Sequence, residues 1–267
     1  MKKTYSYQAY LQSPYKSIKH STYFDSYDHF FAKYRNKNIT FLEIGVLGGG
    51  SLFMWRNFFG KQARIIGIDL NPEAKKWESE GFEIFIGNQS DELFWDKFKK
   101  EVGSLDVVLD DGGHTYEQQI ITTENLLPII NDGGIIVIED THTSYMSGFG
   151  PTYMTFIDYV KKKIDSINMR FGKVRNTNSE NRFWSIEIIE SMVAFKINKK
   201  ATNLKSEPTV NDGVSESVVD YRYMDNFLIS NIMRLFPRIT NLKENKFAQL
   251  ILNLIVNRNF KAKKYFR

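Results

Sequence analysis

Two acidic clusters follow short apolar runs in the middle of the chain. Asp110-Asp111-Gly112-Gly113-His114 comes after Leu105–Leu109, and Glu139-Asp140-Thr141-His142 comes after Gly134–Ile138. Well upstream, a third apolar run opens into Glu43-Ile44-Gly45-Val46-Leu47-Gly48-Gly49-Gly50-Ser51. Open α/β sheets bind ligands at the carboxyl ends of their strands. A glycine-rich turn, three carboxylates and a histidine at that edge describe a nucleotide-type cofactor beside a hard metal ion and a base.

The elements that must position these groups are legible as an alternation. Ile39–Ile44, Ile65–Ile68, Phe82–Ile86, Leu105–Leu109 and Ile135–Ile138 are short apolar runs suited to strands buried on both faces. Helical stretches separate them: Ser51–Phe59, Glu73–Ser79, Asp91–Val102 and Tyr116–Ile130. Such alternation predicts βαβ units and a parallel sheet with right-handed crossovers. Tyr153–Ile167 reads as a further helix, and Phe183–Ile189 with Met192–Ile197 as an antiparallel pair closing the sheet edge. Ahead of the sheet, residues 1–37 form a helical cap. Within it Tyr23, Tyr27, Phe30, Phe31 and Tyr34 fall at helical spacing, so an aromatic stripe packs on the sheet. Tyr15 to His20 is less regular and is read as a loop lying over the cofactor. The main domain covers 38–200. Residues 201–267 are a polar linker, Ala201–Ser217, followed by amphipathic helical candidates at Tyr221–Phe236 and Leu242–Asn257.

Composition narrows the chemistry. With 42% apolar and 15% aromatic residues the 267-residue chain can bury a large core. It has no cysteine, which removes thiolate catalysis, disulfides and zinc-thiolate sites together. The N-terminal stretch lacks the apolar segment of a secretion signal, and no run nears the ~18–20 apolar residues that span a bilayer. A cytoplasmic protein is the expectation. From Leu242 to Arg267 seven Lys/Arg face Glu244 alone, a balance of +6, so the net +5 leaves −1 for the first 241 residues. Basicity belongs to a tail, and nucleic acid as a partner loses its support. An apolar Ala248–Val256 with cationic flanks suits an anionic membrane surface, a dimer contact or docking onto the main domain, and protein packing is preferred.

A glycine-rich turn alone serves a dinucleotide, S-adenosylmethionine or merely a tight bend. Two details discriminate. The spacing Glu43-x-Gly45-x-x-x-Gly49-Gly50-Ser51 lacks the G-x-G-x-x-G of dinucleotide binders. The second strand ends in Asp69, about twenty residues on, where a carboxylate can accept both ribose hydroxyls. Alone, Asp69 suits a cap of the helix after Pro72; together with Glu43 and Gly45 it favours the cofactor reading, and Ser51 can cap the helix after the turn. Asn88, Gln89 and Ser90, with Asp91, follow the third strand, where an adenine edge would be read and where Ser90 or Asp91 can also start a helix.

Residues 38–145 resemble class I S-adenosylmethionine-dependent methyltransferases, and more narrowly the metal-dependent macrocin and mycinamicin type of sugar O-methyltransferase. EIGVLGGGSL (43–52), GIDLNP (67–72), GNQSD (87–91), LDDGGHTYEQQ (109–119) and IEDTHTSY (138–145) carry the resemblance. It implies an α/β fold with a doubly wound, mostly parallel, Rossmann-like sheet of seven strands. It also implies methyl transfer from S-adenosylmethionine to a sugar hydroxyl of a glycan, nucleotide-sugar or glycosylated metabolite. Glu43, Gly45, Gly49, Ser51, Asp69, Asn88, Gln89, Ser90 and Asp110 would then serve the cofactor.

Asp111, Glu139 and Asp140 supply hard oxygen ligands suited to Mg²⁺, which would lower the pKa of a bound alcohol. Strand-end acids often only cap helices, but three converging carboxylates without a cation would repel one another. The resemblance assigns the base to His114, and a bland loop residue is the alternative. His142 and Tyr145 either line the acceptor pocket or bond to nearby backbone, and Tyr116 shares that ambiguity. Gly113 stands where serine is commoner, which is expected to loosen the loop. Rival readings are a catechol-like acceptor, a non-catalytic scaffold of the same fold and a nicotinamide dehydrogenase. The motif match, the intact carboxylates with His114, and the glycine spacing argue against them in turn.

Overall fold

Alternating β-branched runs and amphipathic stretches resolve into a seven-stranded sheet in the order β3-β2-β1-β4-β5-β7-β6. The computed structural model describes residues 4–171, 174, 179–216, 227, 230, 231, 250, 254 and 261–266. The strands are β1 (Thr40–Ile44), β2 (Arg64–Asp69), β3 (Glu83–Ile86), β4 (Leu105–Asp110), β5 (Ile130–Ile138), β6 (Ser185–Ile189) and β7 (Met192–Lys196). The first five pair in parallel; β7 runs antiparallel to both β5 and β6. The chain winds outward from β1 to β3, returns to β4 beside β1, and continues the other way. The strand order therefore reverses between β1 and β4, where Ile44 lies opposite Asp110. Clefts form at such a reversal because the flanking helices leave in opposite directions.

Helices cover both faces. On one side α1 (Tyr5–Leu11), α2 (Tyr23–Phe31) and α3 (Gly50–Phe59) build an aromatic layer in which Tyr27, Phe31, Trp55 and Phe59 are fully buried. The expected stripe is there: Tyr23, Phe30 and Tyr34 are buried with them. On the other side α4 (Glu92–Val102), α5 (Tyr116–Leu126) and α6 (Phe156–Asn168) close over Leu42, Ile66, Val108 and Ile136. A short α7 (Lys199–Asn203) follows β7.

Three boundaries differ from expectation. Pro72–Glu80 is a 3₁₀ helix, and its two buried side chains, Ala74 and Trp77, are three residues apart, matching a three-residue repeat. The helix after Tyr116 stops at Leu126 because Pro128 lacks the N–H that would continue it, and Leu127–Ile129 is 3₁₀. Strand β5 begins at Ile130, with an irregularity in its pairing between Leu105 and Val107.

Residues 1–208 form one compact unit and 209–267 a second. Most of Tyr221–Phe236 and Leu242–Asn257, including the Ala248–Val256 stretch, lies outside the described residues. Among the described residues no helix is long and apolar enough to cross a membrane.

Candidate active site

At the strand-order reversal lies a cavity of about 530 Å³, within the range of small-molecule sites. Its floor is the turn after β1. Gly45 has φ +93°, and a Cβ there would stand 2.1 Å from the Asp111 carbonyl oxygen, so only glycine lets the ends of β1 and β4 approach. Asp69 fastens this turn. Its Oδ2 accepts from the Val46 and Leu47 N–H groups at 2.9 and 2.8 Å, and its Oδ1 from Asn71 N at 2.8 Å. Asn71, not Asp69, caps the following helix by accepting from Glu73 N. Asp69, Gly45, Ser51, Asn88 and Gln89 all line the cavity.

Several residues expected to touch the cofactor stand one layer behind the cavity wall. Glu43 is fully buried and accepts from Ser51 Oγ at 2.7 Å and Trp55 Nε1 at 2.9 Å. Ser51 is thereby engaged away from capping, and Gly49, in the left-handed region, is the N-cap of α3 with its Cα against the Trp77 ring. Asp110 is buried and accepts from Gln89 Nε2 at 2.8 Å and Gly112 N at 3.2 Å. Gln89 Oε1 in turn accepts from Gly113 N at 3.0 Å. The turn that carries Gly113 is thus tied down, contrary to the loosening expected of a glycine. Ser90 is off the cavity, and Asp91 is the residue that caps α4.

The carboxylates converge at the other end. Asp111, His114 and Asp140 each offer one ligand atom within 4.8 Å of the others. His114 Nε2 lies 3.5 Å from Asp140 Oδ2 and 4.0 Å from Asp111 Oδ1. His114 and Asp140 both adopt positive φ, +56° and +53°. Non-glycine residues in that region each cost about 1–3 kcal/mol and concentrate at functional sites. Glu139 also lines the cavity, but its carboxylate is only 1% exposed and turned inward. Its Oε1 and the buried Tyr27 hydroxyl make no hydrogen bond of good geometry, yet the two stand close enough for the hydroxyl to favour the charged carboxylate. Asp140 Oδ1 accepts from the Tyr23 hydroxyl at 2.5 Å.

Sequence reasoning missed Lys19. It sits in the loop expected to lie over the cofactor, and Lys16 to His20 do line the cavity. Its ammonium lies 2.5 Å from Asp111 Oδ2, 3.5 Å from Glu139 Oε2 and 3.9 Å from Glu43 Oε1. Burial alone would lower its pKa. The charges of Glu139, Asp111 and Glu43 outweigh burial and hold it charged, well above the usual lysine range. Burial pushes Glu139 well above the carboxylate range despite Lys19, and lifts Glu43 and Asp110 to about 7. No spacing rule flags a lysine in an irregular loop; only its position among polar residues between two cap helices was visible.

Two residues expected at the acceptor end fall outside the cavity. Tyr145 is 78% exposed and lines nothing. His142 bonds Ser191 Oγ through Nδ1 at 2.5 Å and lies 3.8 Å from Asp140 Oδ1, a neighbour of the acidic cluster. Tyr116 is structural: its hydroxyl donates to the Thr143 and Met146 carbonyls, both at 3.0 Å.

Residues 42–141, which span this turn and both acidic clusters, match a methyltransferase domain family. The matched segment runs from β1 to the end of β5 and the acidic cluster after it. The chain is 34% identical over 154 residues to demethylmacrocin O-methyltransferase of Streptomyces fradiae, covering 53% of this chain and 38% of that one. It is 30% identical over 158 residues to a rhamnosyl tetracenomycin-C 2'-O-methyltransferase of Streptomyces olivaceus, covering 55% and 41%. The chain thus spans about two-fifths of the length of the curated relatives it matches. The solved mycinamycin-pathway methyltransferase MycE, in complex with Mg and SAH, superposes with a TM-score of 0.66 at 27% identity. The match covers 78% of this chain and 57% of that one. The seven-stranded, mostly parallel sheet matches the class I methyltransferase fold of MycE.

Proposed function

We propose that the chain transfers a methyl group from S-adenosylmethionine to a hydroxyl of a sugar-bearing acceptor, with Mg²⁺ held at the acidic cluster. The observation that carries the reading is one cavity with two chemically distinct ends. The Asp69-fastened glycine turn stands at one end, and the Asp111, His114 and Asp140 cluster with Glu139 at the other. The relatives' printed names, O-methyltransferases of demethylmacrocin and of a rhamnosyl tetracenomycin-C, and the Mg and SAH in complex with MycE agree with it.

The donor set fits a hard divalent cation. Asp111, Glu139 and Asp140 offer carboxylate oxygens, and Glu139 Oε1 is a buried acceptor with only the imperfectly placed Tyr27 hydroxyl beside it. When bound there, such a cation lowers the pKa of a coordinated alcohol and orients it. Asp69 holds the turn beneath the cofactor and offers a carboxylate at the cavity wall. His114 Nε2, beside Asp111 and Asp140, accepts the hydroxyl proton as the oxygen takes the methyl group, leaving S-adenosylhomocysteine. Asp140 steadies the imidazolium that results. Residues 38–200 form the transferring unit in this reading, residues 1–37 a cap that supplies Lys19 and Tyr23, and 201–267 an appendage.

The test is methyl transfer from labelled S-adenosylmethionine to glycosylated acceptors, run with magnesium and with excess chelator, beside calorimetry of S-adenosylmethionine and NAD. The reading expects S-adenosylmethionine to bind more tightly than NAD, and chelator to stop transfer. Full activity in chelator removes the metal, and tighter binding of NAD removes the cofactor assignment.

A further inference from the structure

The loop from Ser13 to His20 is fastened to the protein at one end and held inward by a charge at the other. Ser13 Oγ donates to the Gly50 carbonyl at 2.8 Å, and the Tyr10 hydroxyl to the Ser17 carbonyl at 3.0 Å. The Tyr15 ring packs on Phe53 and Trp77 at 5.0 and 4.6 Å. A Cβ on Gly50 would stand 2.4 Å from the Lys16 carbonyl oxygen, so the loop backbone lies directly on the glycine turn. Past Ser17 the grip thins, for Ile18 is 86% exposed. Lys19 then turns inward, its side chain 2% exposed, to Asp111, Glu139 and Glu43. Among the described residues no other lysine or arginine pairs with these carboxylates, nor with Asp140.

The ammonium leans on Asp111 and Glu139, two of the three carboxylates assigned above to the metal. An ammonium and a divalent cation sharing those groups repel each other at short range in a buried setting. Two ligands that disfavour one another are linked, so whatever the ammonium loses by metal entry appears as weakened metal affinity. We propose, resting on the metal site of the preceding section, that Lys19 is an internal competitor for the metal: cation entry displaces its ammonium from Asp111 and Glu139 and frees the inner end of the 13–20 loop. Metal affinity and loop closure over the cavity are then two readings of one equilibrium. Lys19 is a positioning residue here; it takes no proton and touches no reacting atom.

The test titrates magnesium chloride into the full chain by calorimetry, comparing the parent with Lys19→Met, Lys19→Gln and the charge-preserving Lys19→Arg. Hydrogen exchange of residues 13–20 is followed with and without the metal. Lys19→Met and Lys19→Gln should bind magnesium roughly 5–150-fold more tightly, the range of ordinary site-to-site coupling, and Lys19→Arg should stay near the parent. In the parent, magnesium should speed exchange around Ile18 and Lys19. In Lys19→Met that exchange should be fast from the start and indifferent to the metal. Melting temperature gives a second measure that survives a loss of stability in the variants, since magnesium should raise it more for Lys19→Met than for the parent. Equal or weaker magnesium binding by both neutral variants, equal thermal gains, or loop exchange unmoved by metal in the parent overturns the competition while leaving the metal site standing. Failure of all four proteins to bind magnesium overturns both.

Discussion

Two charged clusters in this protein use the same residue types to opposite ends. At the strand edge Glu43, Asp111 and Glu139 face, among the described residues, a single ammonium, that of Lys19, while Asp140 lies beside His114 and His142. Beneath α5 and α6, Glu124 and Glu180 face Lys163 and Arg182, two against two. Glu124 accepts from Tyr159, Lys163 and Arg182 at 2.7, 2.6 and 2.5 Å. Glu180 takes Arg182 through Nη2, Nε and the backbone N–H at 2.7, 2.9 and 2.9 Å. The second cluster is balanced and satisfied, and it joins α5, α6 and the approach to β6. The first has more carboxylates than cations, an excess that proton uptake or a further cation would relieve. Burial raises Glu139 and Glu43. The same burial acts on Glu124 and Glu180, but Arg182 and Lys163 overcome it and hold both at about 2. A surplus of buried like charge is costly to fold, so a fold that keeps one marks where a ligand is to bind.

The comparison breaks most sharply under amide substitution. Glu139→Gln should reduce methyl transfer to background while leaving the metal-free melting temperature unchanged or higher, because it removes a buried charge. Glu180→Gln should do the reverse, keeping turnover and costing about 1.5–3 kcal/mol for its lost charged hydrogen bonds. Denaturant melts and initial rates on the two variants decide it, and a matching loss of stability in both would erase the distinction.

Next in size, His114→Gln should lower turnover by ~10²–10⁴ with cofactor and magnesium affinity nearly intact. The acidic limb of its pH–rate profile should flatten, since the group that must be deprotonated is gone. His142→Gln should retain that limb. Reversed phenotypes would move the base to His142.

Smaller again, Asp69→Ala should weaken S-adenosylmethionine binding by about 1.5–3 kcal/mol, as for a lost charged acceptor. It also frees the Val46 and Leu47 N–H groups, so exchange at those two amides should rise in the same variant. An unchanged dissociation constant with slow exchange would take Asp69 out of the cofactor end.

The gentlest test is pH, where the clusters should act with opposite signs. Glu124 and Glu180 have folded values near 2, below the ordinary 4.5. Their stabilisation is complete above 4.5 and is lost as pH falls toward 2. Glu43 has a folded value of about 7, above 4.5. Its contribution is complete below 4.5 and is lost as pH rises through about 7. In metal-free protein the stability curve should therefore slope down on both sides, and Glu180→Gln should blunt the acid side alone. Thermal melts across pH on parent and variant read this directly.

The sequence by itself determined the sheet, its helices and the chemistry of its edge. Period and composition act over a few residues, so five buried parallel strands and the acids that end them are visible in LDVVLDDGGH and GIIVIED. What only the tertiary structure decided depends on groups far apart in the chain. Lys19 meets Asp111 across 92 positions, and the Tyr23 hydroxyl reaches Asp140 across 117. No local pattern encodes either meeting. The same holds for the split between cavity wall and support. Glu43 and Asp110 share motifs with residues that face the cavity, yet strand pleat and turn geometry aim their side chains at Ser51 and Trp55 and at Gln89 and Gly112. Tyr145 follows the second acidic cluster by only five residues, but the 3₁₀ turn from Thr141 carries it out to solvent. A motif states which side chains are available at a strand end; the direction each one points is fixed by packing from the rest of the fold.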